Sequence, residues 1–185
     1  MSTYVLVHGA WHGGWYWHKV VPLLEKEGHK VEAPDLPGHG KDKTPISEIT
    51  LEAYAQSICR VLDAQSEPVI LVGHSMAGKV ITQAAEYRPE RIKMLVYVTA
   101  FLEPSGEALG QDTESLLMPN LILSEDQSYF TLGADTIKDI VYADCSDEDL
   151  ALAKSLMVPQ AAAPLMTPQK TTEQNFGRVP RVYIE

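Results

Sequence analysis

The residues with most chemical promise are Ser75 and the small residues around it, in the run ILVGHSMAGKV over positions 70–80. An apolar run ends at Val72, Gly73 permits a tight turn, and Ser75 stands at its tip. Ala77 and Gly78 are then small enough to let a following helix pack close. A sharp strand-to-helix turn of this kind lifts a serine hydroxyl clear of its neighbours, where it can act as a nucleophile. A serine at the start of a helix also has the positive helix end and the Met76 amide beside any oxyanion formed on attack. The pattern departs from G-x-S-x-G at its fifth position, where Ala77 stands, but alanine meets the same steric need. A plain strand-to-helix turn is the competing reading. A phosphate-binding loop is not, because Val80 stands where G-x-x-x-x-G-K-[ST] demands Ser or Thr.

Acyl transfer needs a second oxyanion donor, and in an architecture of this kind it comes from a loop after an early strand. The stretch VHGAWHGGWYW over positions 7–17 is too rich in Gly and aromatics for a good strand or helix. Gly9 frees the backbone to turn its N–H groups inward, so the oxyanion hole is assigned to the amides of Ala10 and Met76. Gly9, Trp11 and Phe101 are expected to line the substrate pocket. Trp15 and Trp17 read as core anchors of the first helix, and Trp11 is left facing either way.

The elements that must carry these residues follow from the hydrophobic pattern. Apolar, non-alternating runs at 4–7, 29–33, 68–74 and 93–100 read as strands, and helical spacing appears at 15–27, at 51–64 with Thr50 as N-cap, and at 76–87. Buried strands separated by helices predict an α/β architecture, a doubly wound, mostly parallel sheet. Residues 1–102 form its core. Residues 103–177 break the rhythm and read as a helical cap, with amphipathic helices near 134–142 and 147–157 and no strong strand. Residues 178–185 resume the strand pattern as a return strand of the core. The acidic clusters SEDQ and DCSDEDL are read as helix N-caps and a solvated face rather than a metal site, and PDLPGHG as a turn at the sheet edge.

At 185 residues with 45% hydrophobic and 22% charged residues, the chain has the composition of one globular domain. Its net charge of −10 argues against nucleic acid, which demands clustered Lys and Arg. No apolar run approaches the ~18 residues of a membrane span, and the start has no basic n-region. Two distant cysteines, Cys59 and Cys145, suit a reducing cytoplasm. No cofactor and no metal are expected, and a homodimer is left open.

Taken together, positions 5–40 with VILVGHSMAGKV, CSDEDLALAKSLMVP and FGRVPRVYIE resemble one branch of the α/β-hydrolase superfamily. It contains plant methylesterases of the salicylic-acid-binding type, hydroxynitrile lyases and bacterial pyrethroid hydrolases. The resemblance runs nearly end to end and is weakest over the cap. It implies that Ser75 is the nucleophile and that the amides of Ala10 and Met76 hold the oxyanion. It also implies a choice of reaction, because the lyases of this branch carry Thr directly after the His of the first loop, whereas the esterases carry Gly. Gly9 therefore favours ester hydrolysis, with a small carboxylic ester as substrate.

A serine needs a base, normally a His oriented by a carboxylate, in the chain order Ser, acid, His. All six histidines (8, 12, 18, 29, 39 and 74) precede Ser75. His74 is adjacent to Ser75 on too tight a turn, and His8, His12 and His39 read as structural. The resemblance places the acid just beyond RVYIE and the His further on, so the chain is expected to be a fragment whose C-terminal part of the fold is missing. A hydroxynitrile-lyase-like activity and a non-catalytic ligand-binding homologue stay open as alternatives.

Overall fold

Five strands, every neighbouring pair parallel, form the central sheet of the computed structural model, which describes residues 1–107 and 117–185. They are β1 (Thr3–Val7), β2 (Lys30–Glu32), β3 (Val69–His74), β4 (Ile92–Val98) and, at the far edge, the strand Arg181–Ile184. The order is β2-β1-β3-β4 followed by Arg181–Ile184. The chain leaves β1 toward one edge and returns to place β3 on the other side of β1. The loops after β1 and β3 therefore splay apart at their carboxyl ends, which is where doubly wound sheets form their binding crevice. Register fixes the rest: Val7 pairs with Gly73, so the first loop and the serine turn leave the sheet side by side.

The helices show why the strands are apolar on both faces. In α2 (Leu51–Asp63), residues 51, 54, 55, 58, 59 and 62 are buried at helical spacing, and Thr50 caps the helix by accepting from the Ala53 amide at 3.0 Å. In α3 (Ala77–Tyr87), every residue from Ala77 to Ala85 is buried, because this helix is enclosed between the sheet, α2 and the turn Phe176–Arg178. The expected helix over 15–27 is two pieces instead. A 3₁₀ turn at Gly14–Trp17 precedes α1 (Val21–Lys26), and Pro22, which has no N–H for a preceding carbonyl, starts the second. Trp17 is buried, as an anchor should be, and Gly28 ends α1 at a φ of +82°.

The segment 103–177, expected as a helical cap, is not wholly helical among its described residues. It contains α4 (Ala134–Thr136) running into a π-helical turn at Ile137–Val141, α5 (Asp147–Leu156) and α6 (Ala162–Met166). It also contains a three-stranded antiparallel sheet: β5 (Leu121–Leu123), β6 (Tyr129–Leu132) and β7 (Gln160–Ala161), which makes Arg181–Ile184 the eighth strand, β8. The stretch SEDQ is the β5–β6 turn and not a helix cap. Asp126 Oδ1 accepts from the Ser124 and Ser128 hydroxyls, both at 2.7 Å, and Gln127 adopts a φ of +59°. Ser146 does cap α5, accepting from the Asp149 amide at 3.1 Å. Residues 108–116 of this segment lie outside the described residues. Among the described residues no helix is long and apolar enough to cross a membrane.

One polar contact inside this frame carries a stability consequence. The Lys79 ammonium, its side chain fully buried in α3, lies 3.5 Å from the carboxylate of Glu103, whose side chain is 13% exposed. Neither group has a hydrogen-bond partner among the described residues. Lys79→Met leaves Glu103 as an uncompensated buried charge and is expected to cost about 3–5 kcal/mol. The double variant Lys79→Met, Glu103→Gln recovers most of that loss. Urea unfolding of both variants measures the difference, and equal stability of the two would refute the pairing.

Candidate active site

Ser75 sits directly after β3 in a backbone conformation that L-residues avoid, with φ +53°. Its neighbours hold it there. The Ser75 amide donates to Val98 O at 3.3 Å, and its carbonyl accepts from the amides of Gly78 and Phe101, both at 3.0 Å. A Cβ on Gly73 would press on Ala77 O and Ile81 Cδ1, both at 2.9 Å, and one on Gly78 would overlap the Phe101 carbonyl. Ala77, the fifth residue of the motif, is fully buried, but the closest approach of helix to strand loop falls one residue later, at Gly78.

Among the described residues, three of the four non-glycine residues with positive φ belong to this region: Trp11 (+65°), Ser75 and Thr99 (+38°), one from each loop after β1, β3 and β4. They line a single chamber of about 350 Å³ together with Gly9, His12, Tyr16 and Tyr142. Backbone strain of this kind costs of order 1–3 kcal/mol per residue and persists where a functional arrangement over-determines it. Thr99 was not visible in the sequence, since a β-branched residue gives no signal for a left-handed conformation.

A second cavity of about 220 Å³ meets the first at Ser75, and its walls include Ala10, Trp11, Met76, Phe101, Phe130 and Leu165. The sequence-predicted residues thus converge: Ser75, Ala10 and Trp11 border both cavities, Gly9 the first, Met76 and Phe101 the second. Trp11 turns inward and ties the first loop to Phe130 and Val158, its indole N–H donating to Phe130 O at 3.1 Å while its carbonyl accepts from the Val158 amide at 3.0 Å. A larger cleft of about 690 Å³ at the other end of the sheet is lined by Lys30, Ser66, Glu67, Lys93 and Pro180, and none of its described lining residues has a positive φ.

The first loop is held by histidines whose ring protons can be placed from their partners. His8 Nδ1 lies 2.8 Å from Gly9 O, His12 Nδ1 2.6 Å from Ala10 O and His39 Nδ1 2.6 Å from His12 O. A carbonyl only accepts, so each Nδ1 carries the proton and each Nε2 is an acceptor. The acceptors are used by the Leu36 amide (3.1 Å), the Tyr142 hydroxyl (2.7 Å) and the Tyr54 hydroxyl (2.9 Å) respectively. Leu36 and His39 belong to PDLPGHG, which follows edge strand β2 but buries both side chains beneath the first loop instead of rimming the sheet. Asp35 braces the same loop by accepting from the Gly14 amide at 2.7 Å. Among the described residues the amides of Ala10 and Met76 have no partner, and Ser75 Oγ has none. His74 stacks on Tyr16 at 5.1 Å with its Nδ1 unpaired, and no histidine bonds to Ser75 Oγ.

Burial pushes His8 well below the ordinary histidine value, helped by His39 beside it, and holds His12 and His74 down to about 4. These rings are neutral when folded and titrate near 6.5 when unfolded, so the unfolded state binds more protons as the pH falls. Their contribution to stability is complete above pH 6.5 and is lost as the pH drops toward 4. Thermal melts at pH 7.5, 6 and 5 are expected to show Tm falling through this range, before most carboxylates titrate. A constant Tm there would contradict the neutral, buried state of the rings.

Similarity to known proteins agrees with this fold. The chain is 38% identical over 199 residues to salicylic acid-binding protein 2 of Nicotiana tabacum, covering 98% of this chain and 76% of that protein. It is 34% identical over 197 residues to an alpha-hydroxynitrile lyase of Arabidopsis thaliana, with the same two coverages of 98% and 76%. Among solved structures, polyneuridine aldehyde esterase superposes with a TM-score of 0.85 at 30% identity, covering 99% of this chain and 79% of that one. The family model described as "Alpha/beta hydrolase family" matches residues 4–184, nearly the whole chain, and with a parallel sheet that presents a strained serine between β3 and α3, this protein belongs to the alpha/beta hydrolase family.

Proposed function

We propose that the protein is a cofactor-free serine hydrolase acting on small carboxylic esters. The observation that carries this is Ser75, strained at φ +53°, its hydroxyl and the two amides beside it without partners among the described residues, between two cavities. Ser75 Oγ adds to the ester carbonyl while a base takes its proton, and the amides of Ala10 and Met76 receive the developing oxyanion. Collapse expels the alcohol, which takes the proton back. Water then adds to the acyl-serine by the same route and releases the acid.

The base in this reading is a histidine other than His8, His12 and His39, whose rings are committed to loop carbonyls. The largely apolar 220 Å³ cavity fits an apolar acyl or alcohol group of modest size. The free cysteines, Cys59 and Cys145, fit a cytoplasmic location.

A lyase is the second reading, favoured by the 34% identity to an alpha-hydroxynitrile lyase. Against it stands Gly9: a Cβ there would lie 3.0 Å from His74 Nδ1 and 3.2 Å from Ser75 Cβ, so a bulkier residue would crowd the nucleophile. Hydrolysis of p-nitrophenyl esters of two to eight carbons, run beside cyanide release from mandelonitrile, separates the readings. Ester turnover that declines at the longer chains supports the esterase, and cyanide release without ester turnover refutes it.

A further inference from the structure

In a trans peptide the carbonyl and the following N–H point in opposite directions, so whatever holds one carbonyl also aims the next amide. In the first loop both peptides that flank Ala10 are pinned by a histidine Nδ1–H: His8 holds Gly9 O, whose peptide carries the Ala10 amide, and His12 holds Ala10 O, whose peptide carries the Trp11 amide and fixes the loop beyond it. The two histidines differ in what stands behind them. His8 leans on the Leu36 amide, part of the core. His12 leans on the hydroxyl of Tyr142, a cap residue 130 positions away that follows directly on the π-helical turn Ile137–Val141. Such turns are rare and concentrate at functional sites.

We infer that Tyr142 and His12 are positioning residues: the Tyr142 hydroxyl fixes the His12 ring, the ring fixes the Ala10 carbonyl, and a seated cap thereby holds the oxyanion loop in its working shape. This rests on the serine-hydrolase reading of Ser75. The chain of bonds is short and buried, 2.7 Å from Tyr142 Oη to His12 Nε2 and 2.6 Å from His12 Nδ1 to Ala10 O. Tyr142 and His12 are only 7% and 3% exposed, so water competes poorly for either bond. Both side chains also wall the chamber that contains Ser75, which places the cap's grip within the site. The amide at the centre of this arrangement, that of Ala10, is left unpaired among the described residues and available to an oxyanion.

The relay acts on charge that develops only in the transition state, so its loss lowers kcat and leaves KM nearly constant. Tyr142→Phe removes one hydroxyl and is expected to cut kcat for p-nitrophenyl butyrate about tenfold, less than outright loss of an oxyanion donor. Affinity for butylboronic acid, which forms a tetrahedral anionic adduct on an active serine, falls by the same factor. Adding Tyr142→Phe to His12→Ala has no further effect, because the pair acts as one unit. His12→Asn, whose amide N–H can still donate to Ala10 O, recovers part of kcat and no longer responds to Tyr142→Phe. An unchanged kcat and boronate affinity in Tyr142→Phe, a change confined to KM, or additive losses in the double variant would overturn the relay. Long-range ¹⁵N–¹H spectra at pH 7 provide a readout that needs no substrate: His12 is expected as the Nδ1–H tautomer, and the Ala10 amide resonance shifts in Tyr142→Phe. An Nε2–H or charged His12 overturns the relay even if the protein hydrolyses esters, whereas wild-type protein inert toward all esters with the expected spectra points to failure of the hydrolase reading alone.

Discussion

Ser75→Ala is expected to lower kcat for p-nitrophenyl ester hydrolysis by about 10⁴-fold or more, to the residual rate that binding and oxyanion stabilisation alone supply. The prediction follows from position more than from residue type. The Ser75 hydroxyl borders both cavities and makes no hydrogen bond among the described residues, so its removal frees nothing else. Stability is expected to move little, since alanine inherits the same strained φ of +53°. Ser75→Gly is the informative companion. It is equally inactive, but glycine adopts positive φ without a Cβ penalty, so it is expected to be more stable than wild type by about 1 kcal/mol. Steady-state hydrolysis and thermal melts of the two variants test both halves, and Ser75-independent turnover would remove the serine from the mechanism.

Much of the frame was legible because its signals are local. Thr50 with apolar residues at 51, 54, 55, 58 and 62 specifies α2 and its cap within one window, and the turn from Val72 to Gly78 announces a strand, a tip and a close-packed helix in seven residues. Pro22 was a local signal as well, and it marks the start of α1 that splits the expected helix. What the sequence conceals is pairing at a distance. The strands β5 to β7 are two to four residues long, and β7 meets β6 only after the chain has passed through α4 and α5, so neither run stands out as a strand. The histidines of the first loop are conspicuous in sequence, but their roles are fixed by Leu36, Tyr54 and Tyr142 from other elements. Lys79 is a charged residue one place after Gly78, and only the fold reveals it buried against Glu103.

Gly78→Ala is the substitution expected to damage the fold most for the smallest change, one methyl group. The added Cβ would overlap the Phe101 carbonyl oxygen and stand 2.8 Å from Phe101 N and 2.9 Å from its carbonyl carbon. Neither side can give way cheaply. The Phe101 amide donates to Ser75 O at 3.0 Å, and the adjacent Ala100 carbonyl accepts from the Tyr183 hydroxyl at 3.1 Å. On the other side α3 is buried from Ala77 to Ala85 and cannot shift outward without opening the core against α2. The expected cost is about 3 kcal/mol, the upper end for overpacking, because the clash is backbone against methyl and no rotamer relieves it. Gly28→Ala provides the contrast. Gly28 has φ +82° and nothing within 4 Å of its added Cβ, so Gly28→Ala costs only about 1–2 kcal/mol of strain from holding a Cβ in the left-handed region. The two variants also separate in activity. Displacing Phe101 moves both the wall of the 220 Å³ cavity and the carbonyl of Ser75, so kcat/KM falls in Gly78→Ala even in the molecules that remain folded. Gly28 lies at the end of α1 and lines neither cavity, so kcat/KM per folded molecule is unchanged in Gly28→Ala. Urea unfolding for stability, with active-site titration to count folded molecules, distinguishes these outcomes. Equal stability of Gly78→Ala and wild type would mean that the helix and the Phe101 segment do not approach as closely as the fold requires.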